Sequence, residues 1–271
     1  MAHLDSIQTY PLKSAASIDH DIVEVGKWGL SYDRNFAIVD LDENCITART
    51  HPKIMHIQPK IENDQLYLSY QNKEIGIISL SASDQKQDLA FKIFSYDAYG
   101  AITKNENLTE FISNLIGAPC QIMKTSTHKK RHVMAKHGGE SQDTLAFADQ
   151  APILLASMAS LADLNDRTPH IIKMEQFRPN LIVANVESGE EDTWKRIQIG
   201  ANVKLRLIQQ CERCIFTTID PQTLQKDPKG EPLRTLSKYR LNEKKNTVFG
   251  MHAVVEEGGK ISKGDQITIL E

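Results

Sequence analysis

The sequence predicts a mainly β protein with some helices, of the α+β class, arranged as two domains. Short apolar–polar alternations closed by Gly, Pro, Asn and Asp fill the first hundred or so positions, and such runs read as strands and hairpins. Helical spacing with recognisable ends occurs in few places. Between Gly117 and Thr144 a polar, basic segment with paired glycines separates the halves, which puts the domains at about 1–120 and 125–271.

The elements follow in order. Leu4 to Tyr10 is a strand closed by Pro11, and Ser17 to Val25 is a second that ends in the Gly26–Gly29 turn. Asn35 to Asp40 alternates as a half-buried strand should, and "DLDEN" turns it back onto Cys45 to Arg49. Gln65 to Tyr70 and Glu74 to Ser79 form a hairpin, and Ala90 to Phe94 is a further strand. Strands at this spacing suggest an antiparallel barrel or sandwich. Leu108 to Ile116 is a helix, with Asn107 as its cap and Gly117 as its stop. "THKKRHVMAKHGGESQDTLAF" reads as a linker or mobile loop whose basic run at 128–132 is a solvated face or, less favoured, an anion or partner site. Ser157 to Asn165 is a serine-capped helix, Asn180 to Asn185 and Val203 to Gln209 are strands, and Thr235 to Tyr239 is helical. A strand, a Gly-Asp turn and a last strand end the chain.

A chain of 271 residues needs neither disulfide nor metal to close a core. Its formal charge of −3 gives no reason to expect nucleic acid as a partner. Without a long apolar run or a signal-like start, neither membrane spanning nor secretion is expected. Four scattered cysteines, at 45, 120, 211 and 214, favour a reducing cytoplasm.

"CERCIFTTIDP", from Cys211 to Pro221, carries the chemistry. A structural zinc would need two more ligands, but the only histidine after Cys214 is His252, and His128, His132 and His137 lie far upstream. A thioredoxin-like dithiol opens a helix, whereas the β-branched "IFTTI" places the cysteines at a strand entry. A pair of inert buried thiols remains open. Arg213 argues for a thiolate, because lowering a thiol from pKa about 8.5 to about 7 takes roughly 2 kcal/mol. One guanidinium at about 4 Å supplies up to about 4 kcal/mol at an effective dielectric of about 20. In a strand Arg213 and Cys214 face opposite ways, so the pairing requires a turn; Arg178 is the other candidate cation.

"CERCIFTTIDP" with "EPLRTLSKYR" resembles the MOSC domain, shared by molybdenum cofactor sulfurase C-termini and the mitochondrial amidoxime-reducing component. "YPLKS", "GLSYDRNFAIVD" and "ITARTHPKIMHIQP" resemble the MOSC N-terminal β-barrel domain. "APILLASMASLADLN", "FRPNLIV" and "EDTWKRIQIG" resemble the body of the MOSC domain. The likeness runs nearly end to end and is to the amidoxime-reducing type and its YcbX-like bacterial relatives. It implies two β-barrel domains and a molybdenum cofactor (molybdopterin), with one cysteinate from the protein on the metal. Cys214 is the matching position and Cys211 is secondary. Lys13, Ser14 and Arg34 match barrel positions that reach the cofactor. Ser157 and Ser160 offer hydroxyls and N–H groups to a phosphate, while Arg178, Asn180 and Arg213 supply cations and an amide.

Blander roles stand beside these: surface charges for Lys13 and Arg34, a helix cap for Ser157, and an ion pair with Glu175 for Arg178. Asp220 reads as the end of a turn, with Thr217 and Thr218 below the metal or merely in a strand, and Tyr239 as a second-tier candidate. The implied function is reduction of small N-hydroxylated compounds (hydroxylamines, amidoximes, N-hydroxylated bases). Some relatives carry a ferredoxin domain at the C-terminus; here a separate ferredoxin- or flavoprotein-like electron donor is expected. The alternatives are a cofactor or persulfide carrier without turnover, and an inert scaffold. "FGMHA" departs from the family's "FGQN", so His252 is expected to alter the pocket rim, the proton source is left open between metal-bound water and His252, and Glu212 brings a carboxylate that would oppose the thiolate.

Overall fold

The computed structural model describes residues 1–81 and 88–271 and is mainly β with a few helices. Its largest sheet has eight strands in the order Ile18–His20, His3–Thr9, Leu181–Ala184, Ile153–Ser157, Val248–Glu257, Val203–Glu212, Arg196–Ile199 and Ile267–Ile269. Neighbours are antiparallel except Ile153–Ser157 and Leu181–Ala184, which run parallel and align Leu155 with Leu181. Parallel strands need a crossover, and the helix Met158–Arg167 lies on it.

The first strand belongs to this sheet, with Leu4 opposite Val183 and Ile7 opposite Leu181. Leu4, Ile7, Val23, Val25 and Leu30 are buried in one apolar cluster with Ile153, Leu155, Trp194, Ile197 and Leu205. Burial of each such side chain contributes roughly 1.5–3 kcal/mol. A second core holds Phe36, Ile38, Leu66, Leu68, Leu108 and Ile112, and here Ile219 and Phe216 enter from the other half of the chain. Each core therefore takes in a segment from the other half of the chain.

Around the second core, a five-stranded sheet runs Leu89–Ile93, Tyr96–Ile102, Cys120–Thr125, Phe36–Asp40 and Cys45–Ile46. A three-stranded one runs Gln58–Glu62, Gln65–Tyr70 and Lys73–Ser79. Both expected hairpins are present, pairing Ile38 with Ile46 and Tyr67 with Ile77.

Four expectations change. The helix Glu106–Ile116 is capped by Asn105, whose side chain accepts from Leu108 N at 3.0 Å, rather than by Asn107. Ser17 to Val25 is not one strand: it divides into Ile18–His20 and Ile22–Gly26, which join different sheets. The basic segment is no free linker, because Arg131–His132 pairs with Thr144–Leu145 and Val133 and Leu145 are buried against Val254. "IFTT" is a 3₁₀ turn, Ile215–Thr218, and not a strand. Thr217 and Thr218 hydroxyls donate to the carbonyls of Cys214 and Ile215 at 2.9 and 2.7 Å, which favours turn over ladder.

Candidate functional site

Where the two halves meet, a cavity of ≈ 460 Å³ opens, within the range that holds a cofactor-sized ligand. Lys13, Ser14 and Arg34 reach it from the N-terminal half, and Arg178, Asn180, Arg213 and Cys214 from the C-terminal half. Seven of the nine residues singled out from the sequence thus share one lining, as Arg34, Arg178 and their neighbours illustrate in detail.

Tyr10 organises the wall. Its buried ring carries the Arg178 guanidinium at 4.0 Å and that of Arg34 at 4.5 Å, a cation–π arrangement that places two like charges side by side. Arg34 is neutralised: Nη1 donates to Asp33 Oδ2 at 2.6 Å and to Asn180 Oδ1 at 2.9 Å, and Nη2 donates to Arg178 O at 3.1 Å. Burial alone would lower its pKa, but Asp33 reverses the shift and raises it. Arg178 has no such partner. Among the described residues it forms no ion pair, with Glu175 or any other acid, and its buried Nη2 has no hydrogen bond. Burial brings its pKa down to about 10. Ser14, Arg34 and Arg178 also hold φ of 74°, 48° and 57°, a region that non-glycine residues rarely occupy and that clusters at functional sites.

Lys13 is buried rather than superficial: Nζ donates to Phe147 O at 2.9 Å and pairs with Asp149. Burial works against an ionised Asp149, yet Lys13, with Arg49 and Arg34 behind it, holds the carboxyl at about 2. Ser14 Oγ accepts from Ala48 N at 3.1 Å. The Asn180 amide ties several segments together: Oδ1 accepts from Leu154 N at 3.1 Å as well as from Arg34, and Nδ2 donates to Gln8 O at 3.1 Å. It fastens the strand Leu181–Ala184 to its neighbours while lining the cavity.

The two cysteines differ. Cys211, 6% exposed at the end of the strand Val203–Glu212, receives Arg213 Nη1 at 2.8 Å. Burial opposes its ionisation, but Arg213 and His252 together bring the pKa down to about 7. Arg213 therefore serves Cys211 rather than Cys214, its Nη2 bound to Phe177 O at 2.8 Å and its Nε left without a partner. Cys214 is half-buried in the lining, one residue before the 3₁₀ turn, and its Sγ makes no hydrogen bond among the described residues. Glu212 lines the same cavity, and its carboxylate accepts from Asn242 and Asn246 at 3.0 and 2.9 Å.

Ser157 and Ser160 stand apart from this lining. Their hydroxyls donate to Glu191 at 2.9 and 2.6 Å, a carboxylate with 0% exposure. Ser157 also caps its helix, accepting from Ser160 N at 3.0 Å, so the cap reading is the one the geometry gives. Asp220 closes a turn by accepting from Gln222 N and Thr223 N, both at 2.8 Å. Tyr239 lies under Arg167, away from the cavity. Tyr10, Asp33, Arg49, Phe94 and Asp149 were not singled out from sequence; the positive φ run and the buried pairs that reveal them exist only once the halves join.

Among the described residues, no group of three or more His, Cys, Asp or Glu side chains is arranged to hold a metal ion. A metal here would have to arrive with most of its ligands. The lining suits such a guest: five cations (Lys13, Arg34, Arg49, Arg178, Arg213) face two acids (Asp149, Glu212), beside one uncommitted thiol. Orphaned guanidinium nitrogens of Arg178 and Arg213 call for anionic acceptors.

The chain matches the MOSC N-terminal beta barrel domain over residues 1–119 and the MOSC domain over 142–268. It is 32% identical to mitochondrial amidoxime reducing component 2 of Rattus norvegicus over 97% of this chain and 82% of that one. Mitochondrial amidoxime-reducing component 1 of Mus musculus is 29% identical, over 96% and 80%. Component 2 of Bos taurus is 31% identical, over 95% and 80%. The chain belongs to the MOSC-domain proteins that carry the MOSC N-terminal β-barrel domain, in the family of the amidoxime-reducing components.

Proposed function

We propose that the cavity holds a molybdenum cofactor (molybdopterin) and that the protein is an oxidoreductase acting on small N-hydroxylated compounds. The observation that carries this is the convergence of Cys214 with buried cations from both halves on one cavity. Cys214, half-buried and without a hydrogen bond, would complete the metal's ligand set. Arg178 and Arg213 would bind the phosphate and polar edges through their unpartnered nitrogens, while Lys13, Ser14 and Arg34 would close the cavity from the barrel side. The bound group would supply two-electron redox chemistry at the nitrogen–oxygen bond. The chain's own part is to bind, orient and exclude water, which Tyr10 and Phe177 do by walling the cations off from solvent. A separate electron-donor protein would deliver the electrons one at a time. The four unpaired cysteines favour a reducing compartment such as the cytoplasm, and no helix among the described residues is long and apolar enough to cross a membrane.

The test is elemental analysis of protein from a host with intact cofactor synthesis, alongside loss of a hydroxylamine driven by an artificial one-electron donor. One molybdenum per chain, lost in Cys214→Ala with folding retained, is the expected result. Protein free of molybdenum, or a Cys214→Ala variant that keeps it, defeats the reading.

A further inference from the structure

Two histidine rings near the cavity have no part in that reading. His252 lies on the strand Val248–Glu257, lines the cavity and is 8% exposed. Its ring lies close enough to Cys211 to help hold that thiol's pKa down, Arg213 donates to the same sulfur, and its buried Nδ1 has no partner among the described residues. His137, at the end of the turn Ala135–His137, repeats this pattern. It lies beside Gln209, the strand neighbour of His252, and its buried Nε2 has no partner among the described residues. It also lines a second cavity of ≈ 220 Å³, which shares Tyr96, Asp149 and Gln150 with the first. The His137 ring senses the charge of His252. A buried polar atom without a partner is costly and uncommon. Two of them sit on imidazoles that line two adjoining cavities, with Gln209 beside both.

The other lining groups are poor proton donors near neutral pH. Asp149 is held at about 2 by Lys13, and Arg178 stays protonated with its pKa at about 10. Around the histidines stand Cys211 and Glu212 from one strand with Arg213 just past its end, Lys136 beside His137, and the shared wall of Tyr96 and Asp149; the strand Ile153–Ser157 presents Leu154 to His252. Imidazole is the side chain whose ordinary pKa suits proton transfer in this range.

Resting on the reductase reading, we propose that His252 delivers protons into the cavity, that His137 resupplies it, and that Cys211 positions its ring. For a hydroxylamine the balance is R–NH–OH + 2 H⁺ + 2 e⁻ → R–NH₂ + H₂O. The nitrogen–oxygen bond breaks, both electrons come from the donor protein, one proton ends on nitrogen and the other converts the departing hydroxyl to water. The two protons pass through His252.

The experiment compares molybdenum-loaded wild type with His252→Gln, His252→Ala and His137→Asn, using hydroxylamine loss with an artificial one-electron donor. For His252→Gln, molybdenum content and melting are expected to be unchanged and KM nearly so. Its kcat should fall roughly a hundredfold or more, with the histidine limb of the pH–rate profile lost. Added imidazole should restore part of the turnover of His252→Ala, which a structural role would not allow, and His137→Asn should lower kcat by less. Independently of turnover, iodoacetamide labelling of Cys211 in the cofactor-free chain should require higher pH in His252→Gln than in wild type. If wild type turns over and His252→Gln keeps its kcat and pH profile, the inference falls and the reading stands. If wild type carries no molybdenum or does not turn over, both fall. Unchanged Cys211 labelling in His252→Gln removes the positioning contact.

Discussion

Arg213 Nη1 lies 2.8 Å from Cys211 Sγ, so the cation between the two cysteines is committed to the first and leaves the second uncommitted. Cys211 follows strand geometry as part of Val203–Glu212, whereas Cys214 opens a turn. Three residues of spacing thus produce one thiol prepared as an anion by its neighbours and one prepared to accept a ligand.

The first consequence concerns pH. Cys211 has a folded pKa of about 7 against an ordinary value of 9.0. Between those values the unfolded chain binds a proton that the folded chain does not, so stability rises with pH across the window. The contribution is complete above about pH 9, is lost as pH falls through about 7, and amounts to on the order of 2 kcal/mol. Urea unfolding of wild type and Cys211→Ser at several pH values should show the difference growing from neutral to alkaline conditions. Parallel curves would contradict it.

Arg178 should show opposed effects on stability and binding. It is a buried cation with an unpartnered nitrogen and a left-handed backbone, so the cofactor-free chain bears its desolvation cost. Arg178→Met is expected to stabilise that chain by on the order of 1 kcal/mol while weakening retention of the proposed cofactor. Melting temperature and molybdenum content after dialysis report the two halves of this expectation.

The serine pair should behave as structure. Ser160→Ala removes one hydroxyl from the buried Glu191 carboxylate, and leaving such an acceptor short of a donor costs about 1–3 kcal/mol. Ser157→Ala loses the helix cap as well, worth about 1 kcal/mol. Both variants should unfold earlier, yet hold molybdenum as wild type does when assayed well below their melting points.

Gly250 tests the close approach of two strands beside His252. Its φ is 78°, and a Cβ there would stand 2.6 Å from Leu155 O. Gly250→Ala therefore combines backbone strain with a main-chain clash, and a loss of about 2 kcal/mol or more is expected in the melt.

Much of this was legible in the sequence, and the rest has definable reasons for hiding. Alternation exposed the hairpins around Ile38 and Tyr67, because one face of each strand must be buried. The resemblance placed Lys13, Arg34 and Arg178 in a common lining that periodicity could not. Tyr10 gave no sign, since a strand-end tyrosine becomes a platform for two guanidiniums only when residues 169 positions apart meet, as its hydroxyl bond to Pro179 O at 3.2 Å records. "IFTTI" misled because β-branched residues favour strands, while the local threonine bonds to Cys214 O and Ile215 O prevailed. Ser157 and Ser160 sit at a helix start, where serines serve caps and phosphates alike; only the buried Glu191 beneath them distinguishes the two.

The pairing of Leu4 with Val183 also bears on how the molecule is made. On the ribosome this strand emerges well before its partner, which is synthesised about 180 residues later, so its apolar side must wait unpaired or find temporary shelter. At about 5–20 residues per second that interval is roughly 10–40 seconds. Nascent chains halted before position 181 should bind chaperones that recognise exposed apolar segments, and release them once the later strand clears the exit tunnel.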